Sequence, residues 1–171
     1  MNDMVRTDVI AIPSVAGRQR ALKLLKSGRL VAFPTDTVYG LAAYPWDDEA
    51  VRRLYGVKER PKELPIPLLL SAAEQLARVA VLPDGCQMLP ERFWPGGLTL
   101  VLPKTAAVSG VISERPTVAV RVPNLELTRR LIGDAGGILA VTSANISGKP
   151  GPVNAQEVEA QLGGRIPLIL D

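Results

Sequence analysis

The tightest constraint on this chain is the shortness of its apolar runs and the way they alternate with amphipathic stretches. Leu30-Val31-Ala32-Phe33, Pro67-Leu68-Leu69-Leu70, Leu98 to Leu102, Val118 to Val122, Ile138 to Val141 and Ile166 to Leu170 are each four or five residues long. Runs of that length, bounded by turn residues, read as buried strands. Between them, Val15 to Lys26 reads as an amphipathic helix capped by Ser14, with Ala21, Leu22 and Leu25 on one side and Gly28 at its end. Asp47 or Asp48 can cap a second helix whose inner face is Val51, Leu54 and Tyr55. Asn124 can cap a third, through Ile132, and Ala155 to Leu162 forms a fourth. This order predicts an α/β protein with helices packed on a sheet. The 15 prolines and 15 glycines punctuate the runs instead of gathering in a linker, so the expectation is one domain over residues 1–171.

Composition then removes whole classes of chemistry. The chain has no histidine and one cysteine, Cys86. Ser-His-Asp and Cys-His nucleophile pairs, HExxH zinc sites, cysteine-rich zinc clusters and internal disulfides are excluded. Any reaction must rest on Lys, Arg, Thr, Ser, Tyr, Asn, carboxylates and backbone. No apolar stretch approaches the roughly 20 residues of a membrane helix. Met1-Asn2-Asp3-Met4-Val5-Arg6 lacks an apolar signal core, so the expectation is a cytoplasmic protein with no membrane partner. Twenty basic against 17 acidic residues give a formal charge of +3, which permits a polyanionic ligand without requiring one. Arg52, Arg53, Lys58, Arg60 and Lys62 crowd one window, diluted by Glu59 and Glu63. That cluster reads either as a solvated helix face or as part of an anion site.

Four polar constellations stand where expected strands end, the usual place for ligands in open α/β sheets. Thr35-Asp36-Thr37-Val38-Tyr39-Gly40 follows the first, and it reads either as a turn with Asp36 bonding its own backbone or as a ligand-orienting loop. Lys58-Glu59-Arg60-Pro61 places two cations two residues apart, on one side of an extended segment, as a polyphosphate clamp requires. Thr117, Ala119 and Arg121 share one strand face, opposite Val118, Val120 and Val122. Arg121 in such a strand meets either an internal carboxylate or an anionic ligand. Thr142-Ser143-Ala144-Asn145-Ile146-Ser147-Gly148 reads either as an Asx-type turn or as a phosphate or nucleoside contact. Trp94-Pro95-Gly96-Gly97 reads as a rigid turn with Trp94 as a packing anchor. No GxxxxGK[ST], GxGxxG or GxSxG motif is present.

Taken in order, five strings resemble the YrdC/Sua5 family, the threonylcarbamoyl-AMP synthases of tRNA modification. They are Phe33-Pro34-Thr35-Asp36-Thr37-Val38-Tyr39-Gly40-Leu41, Lys58-Glu59-Arg60-Pro61, Phe93-Trp94-Pro95-Gly96-Gly97-Leu98-Thr99-Leu100, Val118-Ala119-Val120-Arg121-Val122-Pro123 and Ser143-Ala144-Asn145. The resemblance implies a twisted mixed sheet with packed helices around a concave basic cavity. It also implies a reaction in which L-threonine, bicarbonate and ATP give L-threonylcarbamoyladenylate, pyrophosphate and water. Other proteins then transfer the threonylcarbamoyl group to adenosine 37 of tRNA. By motif position, Lys58 and Arg60 grip ATP phosphates as the catalytic cations, and Thr117, Ser143 and Asn145 lie at the nucleotide. Thr35, Arg121 and the backbone of Val141 seat L-threonine. Magnesium accompanies ATP, and no tightly bound metal is implied.

Two positions depart from the family pattern. Many relatives have serine where Gly151 stands, and some have a histidine after the Pro67–Leu70 strand. Relatives also usually continue past the position of Asp171, so the expectation is a short, single-domain member. The main alternative is a non-catalytic RNA-binding module of the same fold, against which 4% aromatic content argues. A carbamoyl-adenylate enzyme of hydrogenase maturation would carry further metal-binding and acylphosphatase-like portions. A plain structural partner would not need polar clusters at strand ends.

Overall fold

Three helices begin where the sequence supplies an acceptor for their first free amides. In the computed structural model, which describes residues 5–171, Ser14 Oγ accepts from Gly17 N at 3.1 Å and starts α1 (Val15–Lys26). The Asp47 carboxylate accepts from Glu49 N and Ala50 N to start α2 (Asp48–Lys58), and Asn154 caps α5 (Ala155–Leu162) through Glu157 N. The short α3 (Met88–Phe93) was not expected from the sequence. The expected cap at Asn124 is not used: α4 (Glu126–Asp134) has Leu125 at that position and no side-chain cap bond. Its first turn is anchored to the preceding chain instead, with Thr128 Oγ1 donating to Pro34 O and Arg129 Nη1 to Pro123 O. The reading of the N-terminal segment falls largely on residues 1–4, outside the described ones. Among the described residues no helix is long and apolar enough to cross a membrane.

The strands are β1 (Asp8–Ile10), β2 (Val31–Phe33), β3 (Gly40–Ala43), β4 (Leu68–Leu70), β5 (Leu100–Pro103), β6 (Thr117–Arg121), β7 (Ile138–Ser143) and β8 (Leu168–Leu170). They form one mixed eight-stranded sheet in the order β1-β8-β2-β3-β7-β4-β6-β5. Six of the eight coincide with apolar runs legible in the sequence. The other two depend on their neighbours: β1 pairs in parallel with β8, and β3 lies between β2 and β7, antiparallel to both. Gly40-Leu41-Ala42-Ala43 has weak strand propensity, and pairing on both edges supplies what the side chains do not.

Two apolar layers divide the sheet. Ala32, Leu41, Leu68, Leu70, Val118, Val120 and Ile138 pack with α2 and α5 residues such as Val51, Leu54 and Val158. Val31, Phe33, Leu69, Leu139, Val141 and Leu168 pack on the opposite face with Ala21 and Leu25 of α1 and Leu131 and Ile132 of α4. No residue of β5 or β6 joins this second layer. Along β6, Val118 and Val120 are buried while Thr117, Ala119 and Arg121 are half-buried, and Val101, opposite Ala119 on β5, is 67% exposed. The α1/α4 layer thus leaves part of its own sheet face uncovered. That shelf is where the strand-end residues meet. Replacing Asp47 by Ala removes both cap bonds of α2, and urea denaturation is expected to show a loss of about 1 kcal/mol.

Candidate active site

Register brings the strand ends to one level. Gly40 pairs with Phe33 of β2 on one side and with Ser143 of β7 on the other. A Cβ at Gly40 would stand 2.7 Å from Val141 Cγ1 and 3.7 Å from Thr35 Cγ2. Glycine is therefore what lets Val141 and Thr35 share one niche at the end of the shelf. The Val141 amide is committed to Pro67 O at 2.9 Å, and Pro67, lacking an N–H, returns no bond to the Val141 carbonyl; the residue is 5% exposed.

Thr35, not Asp36, closes the loop between β2 and β3. Its Oγ1 donates to Val38 O at 2.6 Å and accepts from Thr37 N at 3.2 Å. This corrects the reading of Asp36 as bonding its own backbone: the carboxylate reaches across the sheet to Arg121 Nη2, 2.5 Å away. Arg121 also donates Nη1–H to Thr37 Oγ1 at 3.0 Å and Nε–H to Gly96 O at 2.8 Å. Of the two readings open for Arg121, the structure realises the internal carboxylate. The Gly96 contact escaped the sequence reading, although the glycine pair in Trp94-Pro95-Gly96-Gly97 was its signal. In that turn Trp94 is an anchor as expected, 9% exposed and donating Nε1–H to Leu98 O. Thr117 lies on the same face as Arg121, four residues or about 13 Å along β6.

Lys58 departs most from expectation. It is the last residue of α2, followed by Glu59 in the left-handed conformation (φ 54°), so Lys58 and Arg60 do not sit on one side of an extended segment. The Lys58 side chain runs inward, 1% exposed. Its ammonium donates to Ser143 O, to Asn145 O at 2.6 Å and to Asn145 Oδ1 at 3.2 Å. An ammonium has three N–H donors, and all have partners here. Asn145, also buried, holds the turn through Nδ2–H bonds to Ile146 O and Lys149 O. Burial, with the Arg60 charge as a smaller cause, pushes Lys58 down to about 8.

The basic cluster is dispersed. Arg52 pairs with Glu49, Arg53 donates to Gly28 O, and Lys58 is internal. Arg60 bonds Leu64 O and Pro65 O at 3.2 and 3.0 Å, and burial lowers its pKa. Arg52, Arg60 and Lys62 line a cavity of about 630 Å³ with Tyr55, Val111 and Glu114. Of the residues singled out from the sequence as site residues, that cavity contains Arg60 alone. The shelf gathers Thr35, Arg121, Val141 and Ser143, with Lys58 and Asn145 beneath the Ser143 turn.

These features define an α/β protein with a mixed sheet, open on part of one face, and an arginine held at the floor of the opening. Comparison with known proteins gives the family. The Sua5_yciO_yrdC family, described as "Telomere recombination", matches residues 23–171. The chain belongs to this family. Curated threonylcarbamoyl-AMP synthases from Pyrococcus abyssi and Bacillus subtilis are 45% and 42% identical to it, over 88% and 89% of this chain and 45% of each relative. The chain thus spans less than half the length of these two relatives. The crystal structure of P. abyssi Sua5 complexed with L-threonine superposes with a TM-score of 0.89 at 41% identity, covering 98% of this chain and 49% of that one.

A buried lysine leaves a pH signature. Between about pH 8 and the ordinary lysine value of 10.5, the unfolded chain holds the Lys58 proton that the folded chain has released. Stability contributed at this position therefore rises with pH across that window. Urea midpoints of the protein minus those of Lys58→Met are expected to increase from pH 8 to pH 10, and a flat difference would contradict a depressed lysine.

Proposed function

We propose that this chain carries out threonylcarbamoyl-AMP synthesis within one domain spanning residues 1–171. The amine of L-threonine attacks the carbon of bicarbonate and water leaves, giving a carbamate. A carbamate oxygen then attacks the α-phosphorus of ATP and expels pyrophosphate. The product, L-threonylcarbamoyladenylate, passes to threonylcarbamoyl-transfer proteins that modify adenosine 37 of tRNA. The observation that carries this reading is the meeting of Arg121, on the uncovered sheet face, with the loop that bears Thr35, beside Val141 at the covered edge. A protein of the same family, 41% identical across nearly the whole of this chain, has been crystallised with L-threonine.

The residue roles follow from what each group has left to offer. Arg121 has five N–H groups and uses three internally, so two remain for the threonine carboxylate. Thr35 and the backbone of Val141 hold the rest of the amino acid beside Gly40. Thr117, Ser143 and Asn145 lie along the nucleotide, and Arg60 meets its phosphates. Lys58 reaches a phosphate oxygen by exchanging one of its three carbonyl acceptors, and otherwise holds the Ser143–Asn145 turn in place. Neither step needs a histidine. The work is positioning of three small reactants and neutralisation of charge on the phosphates.

Among the described residues no three His, Cys, Asp or Glu side chains converge, and Asp36 is committed to Arg121. Magnesium would enter as the companion of ATP.

Pyrophosphate release from ATP is expected to require both L-threonine and bicarbonate. Release without threonine, or none in a protein that folds and binds ATP, would count against the assignment. RNA binding that falls steeply with salt and ignores L-threonine would instead favour the nucleic-acid reading. Arg121→Lys keeps the charge but loses the planar fork, and is expected to raise the KM for L-threonine about 10-fold or more with little change in the KM for ATP.

A further inference from the structure

Asp36 is surplus to a site that only has to hold an anion. Its carboxylate and the Arg121 guanidinium form an ion pair at 2.5 Å on the shelf, with side-chain exposures of 19% and 13%. The contact uses Oδ1, and Oδ2 accepts no hydrogen bond from any described residue. A phosphate, carbonate or simple carboxylate arriving at Arg121 meets the like charge of Asp36. An α-amino acid does not. Its carboxylate and its amino group are attached to one carbon and carry opposite charges, so a carboxylate bound to the free N–H groups of Arg121 brings the amino group beside Asp36.

We propose that Asp36 is a positioning residue for the substrate's amino group, its Oδ2 accepting an N–H so that the Arg121–Asp36 pair complements the amino acid as a zwitterion. This rests on the threonine reading above and extends it to the reacting nitrogen. The loop gives the carboxylate the rigidity such a role needs. Thr35 Oγ1, before Asp36, bonds Thr37 N and Val38 O beyond it, and Pro34 O is held by Thr128 of α4. Once the ammonium has given up a proton to solvent, the N–H held by Oδ2 restricts the lone pair that attacks bicarbonate to the two remaining tetrahedral directions. The same arrangement makes the site select amino acids over deaminated acids, because an unpaired Asp36 charge is left when the amino group is missing.

The test compares L-threonine with (R)-3-hydroxybutyrate, which keeps the carboxylate and hydroxyl of threonine and lacks its amino group. Both are measured by ligand-observed NMR titration against the protein and its Asp36→Asn variant. Wild-type protein is expected to prefer threonine, and Asp36→Asn to weaken threonine binding about 10-fold or more while changing 3-hydroxybutyrate affinity little or raising it. Asp36→Ser, smaller and also neutral, should give the same split. If Asp36 merely orients Arg121, both ligands weaken together in both variants, and the proposal falls. Unchanged threonine binding in the variants also overturns it. Wild-type protein that binds ATP but not threonine overturns the threonine reading itself, and this inference with it. The unfolding midpoint of each variant, measured alongside, separates loss of fold from loss of recognition.

Discussion

The geometry of the shelf depends on the pairing of Gly40 with two strands at once. Through Phe33 on one side and Ser143 on the other, that residue sets the loop after β2 and the exit of β7 at the same height in the sheet. Its missing side chain leaves the volume into which Val141 and Thr35 both lean. A strand built from Gly40-Leu41-Ala42-Ala43 has little intrinsic preference for the extended state, yet it lies fully buried between partners, where ladder hydrogen bonds on both edges compensate. Moving this register by one residue would exchange the two faces of β3, sending Leu41 toward α1 and α4 and Ala42 toward α2.

Coverage is the second constraint. Helices α1 and α4 protect the β8, β2, β3 and β7 region of one sheet face, and nothing comparable lies over β6. A strand facing a helix on both sides would carry apolar residues throughout. β6 instead alternates, with valines toward the α2 layer and Thr117, Ala119 and Arg121 toward the opening. The arginine is tolerated because a carboxylate, a hydroxyl and a carbonyl each take one of its donors, while the opening leaves others free.

Lys58 shows the same physics at greater depth. Moving an ammonium out of water is costly, and three oxygens around Nζ offset that cost without supplying a full counter-charge. The consequence is a lysine depressed toward neutral pH that ties the end of α2 to the turn after β7.

The sequence by itself determined four of the helices, six of the strands, the absence of histidine chemistry and the set of polar strings at strand ends. These are local matters: apolar periodicity, a capping side chain such as Ser14 or Asp47, and composition are read over a few residues. It also narrowed Arg121 to two partners without choosing between them. Only the tertiary structure decided that Asp36 is the partner, because the two residues lie 85 positions apart and meet only when the loop after β2 bends over β6. It likewise turned Lys58 inward, since the left-handed Glu59 that ends α2 cannot be foreseen from a Lys-Glu-Arg string that reads equally well as extended. Strands β1 and β3 were illegible for the same reason. Each takes its conformation from neighbours distant in sequence, and no local pattern encodes a pairing that exists only once the sheet has closed around it.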